Sequence, residues 1–229
     1  MPEMQIGHLT FQLNRKAIKN LHISVLPPDG LVRISAPEKM TETAIRMAVI
    51  SRIPWIKKQQ ESFQNQPRQS DREMVTGECH YLCGRRCRLV FNDYQGKQSV
   101  KKQGSSKLVL TVKPDTPVEK KAELLSRFYR AELQLNAEKL FSKWTPILGV
   151  EPSHWQIRKM KTKWGSCNTT THSINLNLEL AKKPPECLEY ILVHELIHLL
   201  ERHHNERFKS LMDQYLPDWR ERRNLLNSL

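Results

Sequence analysis

The sequence has no apolar run long enough to cross a membrane. A membrane-spanning helix needs about 18 or more apolar residues in succession, whereas hydrophobic residues make up 38% of this chain and charged residues 27%. The first residues, MPEMQIGHLTFQLNRK, also lack the uninterrupted apolar segment of a secretory signal. We therefore expect a cytoplasmic protein of ordinary globular composition that has no membrane partner.

The sequence also lacks the paired cysteines of a disulfide framework or a zinc finger. Its five cysteines are an odd number, and without an export signal we expect free thiols. Cys79, Cys83 and Cys87 follow the spacing CxxxCxxxC. Residues four apart in a strand lie about 13 Å from each other, which is too far for one metal ion. Packing is therefore the favoured interpretation of these cysteines, and a second metal site is the weaker one.

Acidic residues are scarce relative to basic ones. The chain has 37 Lys and Arg against 24 Asp and Glu, which gives a net charge of +13. A positive field attracts polyanions such as nucleic acid. The basic residues are scattered along the chain, however, and no RNP-type or zinc-finger motif accompanies them. Charge alone thus leaves two interpretations open, a DNA-related role and a solvated basic surface.

Strand patterns dominate the first half of the chain, and helices alternate with strands in the second half. The first half is predicted to contain short strands over 5–36, a helix over 41–63 that Pro54 could divide, a hairpin over 74–93 and a strand over 107–112. The second half is predicted to contain a helix over 118–143, strands over 154–160 and 173–180, a helix over about 185–202, and a helical segment over 205–227 broken at Pro217. Segment 64–73, QNQPRQSDRE, is the best linker candidate. We predict an α+β fold with a strand-rich N-terminal region over 1–115 and a catalytic domain over 116–229.

The motif HELIH, residues 194–198, carries the sharpest chemical signal. Two histidines at i and i+4 on a helix project from one face, so both imidazoles can reach one tetrahedral metal ion. Glu195 is offset around the helix and can reach a water on that metal, which is the arrangement of a metalloprotease. The alternative is a surface helix whose histidines pair with carboxylates. The flanking residues are apolar, which favours a buried helix whose polar side chains need a metal as partner.

A catalytic zinc ion usually takes three protein ligands and keeps one position open. His203 and His204 both follow the motif closely, and Asn205 could begin the next helix. Spacing alone favours His204 only slightly. The other histidine would then lie in the surroundings of the site or in solvent.

A second group of residues precedes the motif, with the sequence KTKWGSC over 161–167. Gly165 indicates a tight turn or a close approach of the backbone to another group. Trp164 is expected to pack in the core rather than to contact substrate. The strand over 173–180 alternates apolar and polar residues, and its edge could pair with an extended peptide.

The run WGSC, the alternating strand and then HELIHLLERHHNERF together resemble the YgjP-like family of bacterial zinc metallopeptidases. The likeness extends to the segments ISVLPPDGLVRISAP and GECHYLCGRRCRLVF, and therefore covers nearly the whole chain. The family usually has Asn-His-Ser where this chain has His203-His204-Asn205, which places His204 on the family's ligand histidine. The resemblance implies a zincin-like domain that holds Zn²⁺ on His194, His198 and His204.

The catalytic part is also similar to SprT-like and Wss-like proteases, which act on proteins bound to DNA. That similarity implies a possible DNA partner by analogy only. The expected function is hydrolysis of a protein or peptide, in which Glu195 takes a proton from a zinc-bound water and returns it to the leaving amine. Ser166, His172 or His203 could stabilise the oxyanion. The alternatives are a zinc-containing nucleic-acid-binding protein without proteolysis and a zinc hydrolase with a non-protein substrate.

Overall fold

The chain folds into two compact units, Met1–Asp71 and Arg72–Leu229. The computed structural model describes residues 3–7, 9–26, 30–65, 73–92 and 96–228. The boundary between the units falls within the predicted linker 64–73, of which residues 66–72 lie outside the described residues. The further division of the chain between residues 115 and 116 stays a prediction.

The first unit is a four-stranded sheet packed against one helix. Its elements are β1 (Glu3–Ile6), β2 (Leu9–Lys16), β3 (His22–Leu26), β4 (Leu31–Pro37) and α1 (Glu42–Asn65), with the strand order β1-β2-β4-β3. Phe11, Ile34 and Ile45 are fully buried in its core. The helix runs through Pro54 without dividing. The proline removes one backbone hydrogen bond, and the residue that would have accepted it, Ile50, is 46% exposed and can face water.

The second unit begins with another four-stranded sheet, which shares a core with a long helix. Its elements are β5 (Cys79–Leu82), β6 (Arg85–Asn92), β7 (Ser99–Gln103), β8 (Lys107–Thr111) and α2 (Val118–Leu148), with the strand order β5-β6-β8-β7. Cys83 (φ 50°) and Gly84 (φ 75°) make the turn between β5 and β6. Two successive residues in the left-handed region are what a two-residue hairpin needs. This is the hairpin that the sequence predicts around these residues.

A three-stranded sheet follows, and it borders the site described below. It is formed by β9 (His154–Arg158), β10 (Gly165–Asn168) and β11 (Ser173–Asn177), with β11 in the middle. The strand predicted over 173–180 is therefore central and ends early, so the prediction that its own edge could pair with a peptide is wrong. The two edge strands of this sheet are β9 and β10. The side chain of Asn177 explains the early end, because its Oδ1 accepts a hydrogen bond from the Glu179 amide at 3.2 Å. That contact caps a 3-10 helix over Leu178–Lys182.

Three helices complete the unit, α3 (Pro185–Ile197), α4 (Glu206–Tyr215) and α5 (Trp219–Ser228). As predicted, α3 is buried on most of its circumference. Leu192 and Leu196 are 0% exposed, and each side chain buried in this way contributes about 1.5–3 kcal/mol. With strands and helices in both units, the α+β prediction is confirmed. Within the described ranges, no helix is long and apolar enough to span a membrane.

Glu189 fixes α3 against its two neighbouring helices. Its Oε1 accepts hydrogen bonds from Lys143 Nζ at 2.7 Å and Trp144 Nε1 at 2.9 Å, and its Oε2 accepts one from Arg222 Nη1 at 2.6 Å. Burial acts to raise the pKa of Glu189, but these donors outweigh it and lower the pKa to about 2. The carboxylate is therefore ionised at neutral pH. The contacts link α3 to α2 and α5, and so fix the direction in which the motif residues of α3 point.

Candidate metal centre and active site

Three histidines meet at the end of α3. The ring nitrogens of His194, His198 and His204 that could serve as ligands all lie within 4.8 Å of one another. The Nε2 atoms of His194 and His204 face each other at 3.0 Å. Elsewhere in the described residues, no other group of three or more His, Cys, Asp or Glu side chains converges in this way. Cys79, Cys83 and Cys87 accordingly do not form a second cluster.

The first two histidines are placed by the end of the helix. α3 ends at Ile197, earlier than predicted, but His198 still has helical backbone angles and its amide donates to the His194 carbonyl at 3.3 Å. The chain then turns back, and the Glu201 carbonyl accepts a hydrogen bond from His198 Nδ1 at 3.1 Å. Because Nδ1 carries the proton, Nε2 of His198 has a free lone pair that can bind a metal ion. A hydrogen bond of this kind orients the histidines that bind metals in proteins.

The third histidine comes from the loop between α3 and α4. The next residue, Asn205, caps α4 by accepting a hydrogen bond from the Phe208 amide at 3.0 Å, as predicted. Phe208 is 3% exposed. Its ring centroid lies 4.9, 4.8 and 4.7 Å from those of His194, His198 and His204. One aromatic ring thus supports all three imidazoles, a contact that the sequence did not predict.

The chemistry of the donors fits a bound metal ion. Burial, together with the neighbouring His198 and His204, lowers the pKa of His194 to about 3. Burial also lowers the pKa of His198. Both rings are therefore neutral at pH 7, which is the form that binds a metal. Three nitrogens about 2.0–2.1 Å from one tetrahedral zinc ion lie about 3.3 Å apart, and these rings reach that spacing with small shifts.

Glu195 lies beside the histidines and is almost completely buried, with 5% of its surface exposed. Burial raises the pKa of its carboxyl group to about 8, against a smaller opposing effect of Lys163. A carboxyl group whose pKa lies near the working pH can both accept and return a proton.

Gly165, the first residue of β10, lies directly against Glu195. A Cβ atom at this position would lie 2.5 Å from Glu195 Oε1 and 2.8 Å from Ile191 Cγ2. The sequence indicated either a tight turn or a close backbone approach at Gly165. The structure has the close approach, and its partner is the carboxyl group of the motif glutamate. The absence of a side chain therefore makes room for Glu195.

Replacing Gly165 by alanine should reduce peptide hydrolysis by about 10²-fold, because a carboxylate displaced by about 1 Å loses its alignment. The metal content should stay unchanged, since the three atoms nearest to the new methyl group belong to Glu195 and Ile191 and not to a histidine. Rates and metal content measured on one preparation test this. Gly104→Ala is the control: that position has φ +61° and open space, so it should lose stability but keep its activity. Full activity in Gly165→Ala would show that the contact is unimportant.

The histidines and Glu195 open into a cleft of about 530 Å³. Its lining comes from α3 and the loop after it, and from Lys163 and residues 165–170. Among the residues that the structure describes, β10 pairs with a strand on one side only, and that strand is β11. The second edge of β10 thus offers backbone donors and acceptors next to the cleft, which is the surface that an extended peptide can join.

The four additional candidates from the sequence have different positions. Ser166 lines the cleft, and its Oγ accepts a hydrogen bond from Asn175 Nδ2 at 3.2 Å. Trp164 is half-buried and packs against the core of the unit. His172 is exposed in the turn between β10 and β11 with φ 49°, and His203 is exposed in the loop before α4. Of the four residues, the cleft lining includes Ser166 alone.

The cleft also contains residues that sequence reasoning did not select. Lys163 and Arg202 line it, although their only signal in the sequence is a position next to a motif. Cys167 lines it too, and burial, assisted by the charge of Glu195, raises the pKa of its thiol to about 11. The thiol is therefore protonated at neutral pH.

Three converging imidazoles beside a buried glutamate, with two of them and the glutamate in an HExxH motif, define a metallopeptidase site. A sequence model of the protein family described as "YgjP-like, metallopeptidase domain" matches residues 19–229 of the chain. The chain belongs to this family, and it is a metallopeptidase. No curated protein matches the chain.

Two solved structures are similar to part of the chain. One is the metallopeptidase zymogen of Pyrococcus abyssi abylysin, which is 24% identical in sequence. The match covers 40% of this chain and 92% of that chain, with a TM-score of 0.38. The other is the metallopeptidase zymogen of Methanocaldococcus jannaschii jannalysin, which is 24% identical in sequence. The match covers 39% of this chain and 92% of that chain, with a TM-score of 0.36.

Proposed function

We propose that the chain is a zinc-dependent peptidase in which His194, His198 and His204 hold the metal and Glu195 is the catalytic base. The observation that carries this proposal is the convergence of the three ring nitrogens within 4.8 Å of one another, beside a buried carboxylate. The hydrogen bond from His198 Nδ1 to the Glu201 carbonyl supports ligation through Nε2. His203 is not part of the cluster, which supports His204 as the third ligand.

Different residues of the site have different roles in the proposed hydrolysis. A zinc ion at this position would supply a Lewis acid for the scissile carbonyl and lower the pKa of a water toward about 7. Glu195 takes a proton from the attacking water and returns it to the leaving amine. The free edge of β10 binds the substrate backbone in an extended form. Ser166 is the favoured hydrogen-bond donor to the oxyanion, because of the three candidates it alone lines the cleft.

Removal of the metal tests this function. Purified protein should contain one zinc ion per chain and cleave an unfolded protein such as casein. A chelator should abolish cleavage, and one equivalent of zinc should restore it. Protein that contains zinc but cleaves no polypeptide would favour a hydrolase with a non-protein substrate. Protein that binds no zinc would contradict the proposal.

An association with DNA is supported by one face of the second unit. Leu89, Leu108 and Leu110 point from the sheet β5–β8 into the core shared with α2, so the alternate residues point outward. None of these outward residues is acidic. Four of them are basic and exposed, namely Arg86, Arg88, Lys101 and Lys107. Arg88 and Lys107 are direct neighbours across the strands. We propose that this basic sheet face binds DNA, which would direct the peptidase to DNA-bound proteins.

Charge reversal should show whether the basic sheet face binds DNA. In Arg88→Glu/Lys107→Glu, the slope of log affinity against log salt should become shallower by about 2, since each lost phosphate contact changes it by about 0.9. Fluorescence anisotropy of a labelled duplex measures this. The control, Lys120→Glu/Lys139→Glu, makes the same change of charge on α2. If both variants lose affinity equally, binding follows net charge and the proposed face is wrong.

A further inference from the structure

Two basic residues line the active-site cleft, and neither forms an ion pair with the acidic residue of the lining. Lys163 immediately precedes Trp164 and the edge strand β10, and Arg202 lies in the loop that joins α3 to α4. The remaining charged residue of the lining is Glu195, which serves as the base. Within the part of the chain that the structure describes, neither Lys163 nor Arg202 forms an ion pair.

The main chain at Lys163 is held in place by hydrogen bonds to Asn177. Asn177 is 4% exposed, and its Nδ2 donates to the carbonyls of Lys163 at 2.8 Å and Met160 at 2.9 Å. The Asn177 amide donates to the Trp164 carbonyl at 2.9 Å. One buried side chain therefore determines where Lys163 enters the cleft.

The main chain on either side of Arg202 is held as well. The Glu201 carbonyl accepts from His198 Nδ1 at 3.1 Å, and Glu201 Oε1 accepts from the His203 amide at 3.2 Å. The loop that carries Arg202 is thus tied to the metal centre. Lys163 and Arg202 are thus two unpaired cations whose main chain is fixed, and they lie on the two segments that line the cleft. Together they can bind an anionic group.

We propose that Lys163 and Arg202 select peptides that carry an acidic side chain next to the scissile bond. This inference rests on the proposed function. An extended peptide paired with β10 sends alternate side chains to one face, so a carboxylate beside the scissile bond would enter the same cleft. Each cation should contribute about threefold to selection, as expected of a partly exposed ion pair, so that the two together contribute about tenfold. A cleft of about 530 Å³ beside a free strand edge suits a few peptide residues.

Paired peptides that differ only in Asp or Asn at the residue next to the cleaved bond test the proposal. For the wild type, kcat/KM should be about tenfold higher for the Asp peptide. In Lys163→Gln and in Arg202→Gln this ratio should fall to about twofold to threefold. Lys159→Gln removes a nearby exposed cation outside the cleft and should keep the wild-type ratio. An unchanged ratio in both cleft variants, or an equal loss of rate on both peptides, would overturn the assignment.

Binding to the Glu195→Gln variant separates recognition from catalysis. Labelled Asp peptide should bind about tenfold more tightly than Asn peptide, and added salt should reduce the difference because it screens the charges. If the Asp peptide binds preferentially but the wild type cleaves neither peptide, the recognition holds and the proposed peptidase function fails. If both peptides bind equally, the recognition is wrong, whether or not cleavage occurs.

Discussion

Replacing Glu195 by glutamine should abolish peptide hydrolysis while the metal content stays at the wild-type value. The amide has the same shape as the carboxylate but cannot accept a proton, and loss of a positioned general base costs about 10²–10⁴-fold in rate. Glu195 is not one of the three groups whose donor atoms converge, so the metal should remain. Metal content and initial cleavage rates measured on one preparation test both parts.

Glu186→Gln is a suitable control for this variant. Glu186 is exposed in the first turn of the same helix, so the same chemical change there should leave the rate unaltered. Cleavage by Glu195→Gln at the wild-type rate would show that Glu195 is not the base. Loss of the metal from Glu195→Gln would instead show that the carboxylate is a ligand.

The stability of Glu195→Gln provides a further check. Burial raises the pKa of Glu195 to about 8, which means that the folded protein disfavours the charged carboxylate. The neutral amide removes this cost above the ordinary pKa of a glutamate. We therefore expect a thermal midpoint for metal-free Glu195→Gln at pH 9 that is no lower than that of the metal-free wild type, and loss of activity cannot then be ascribed to unfolding.

Local patterns in the sequence predicted the parts of the fold that depend on near neighbours. The spacing of the two motif histidines, the cap at Asn205 and the turn at Cys83 and Gly84 each involve residues within one or two turns of chain. Such features follow from helix and turn geometry alone. For the same reason, the apolar run around the motif was sufficient to predict that α3 is buried.

Features that depend on distant contacts could not be predicted in the same way. β10 has four residues, too few for an alternating pattern, and its place at the sheet edge follows from pairing rather than from its own sequence. Asn177 ends β11 because its side chain caps the next turn, although the apolar alternation continues to Leu180. The contact of Gly165 with Glu195 joins two elements, and the glycine indicated only that something lies close.

The choice between two adjacent histidines should give the clearest effect on metal binding. His204→Ala should weaken zinc binding by more than the roughly 10–100-fold that loss of an outer-shell partner costs, because the ring nitrogen of His204 is one of the three that converge. His203→Ala should change the zinc affinity little, since His203 makes its hydrogen bonds through backbone atoms, which the substitution retains. Competition for zinc against a chromophoric chelator measures both affinities.

The two variants act as controls for each other, because each removes one exposed imidazole from the same loop. Phe208 packs against His204, so His204→Ala also removes a contact of the buried aromatic ring and should lower stability slightly. His204→Gln leaves more of that contact in place. If the zinc affinity of His204→Gln falls as far as that of His204→Ala, the loss arises from the missing imidazole ligand rather than from packing. A larger loss of affinity in His203→Ala than in His204→Ala would exchange the roles of the two residues, and would require the loop between α3 and α4 to turn its other histidine toward His194 when the metal binds.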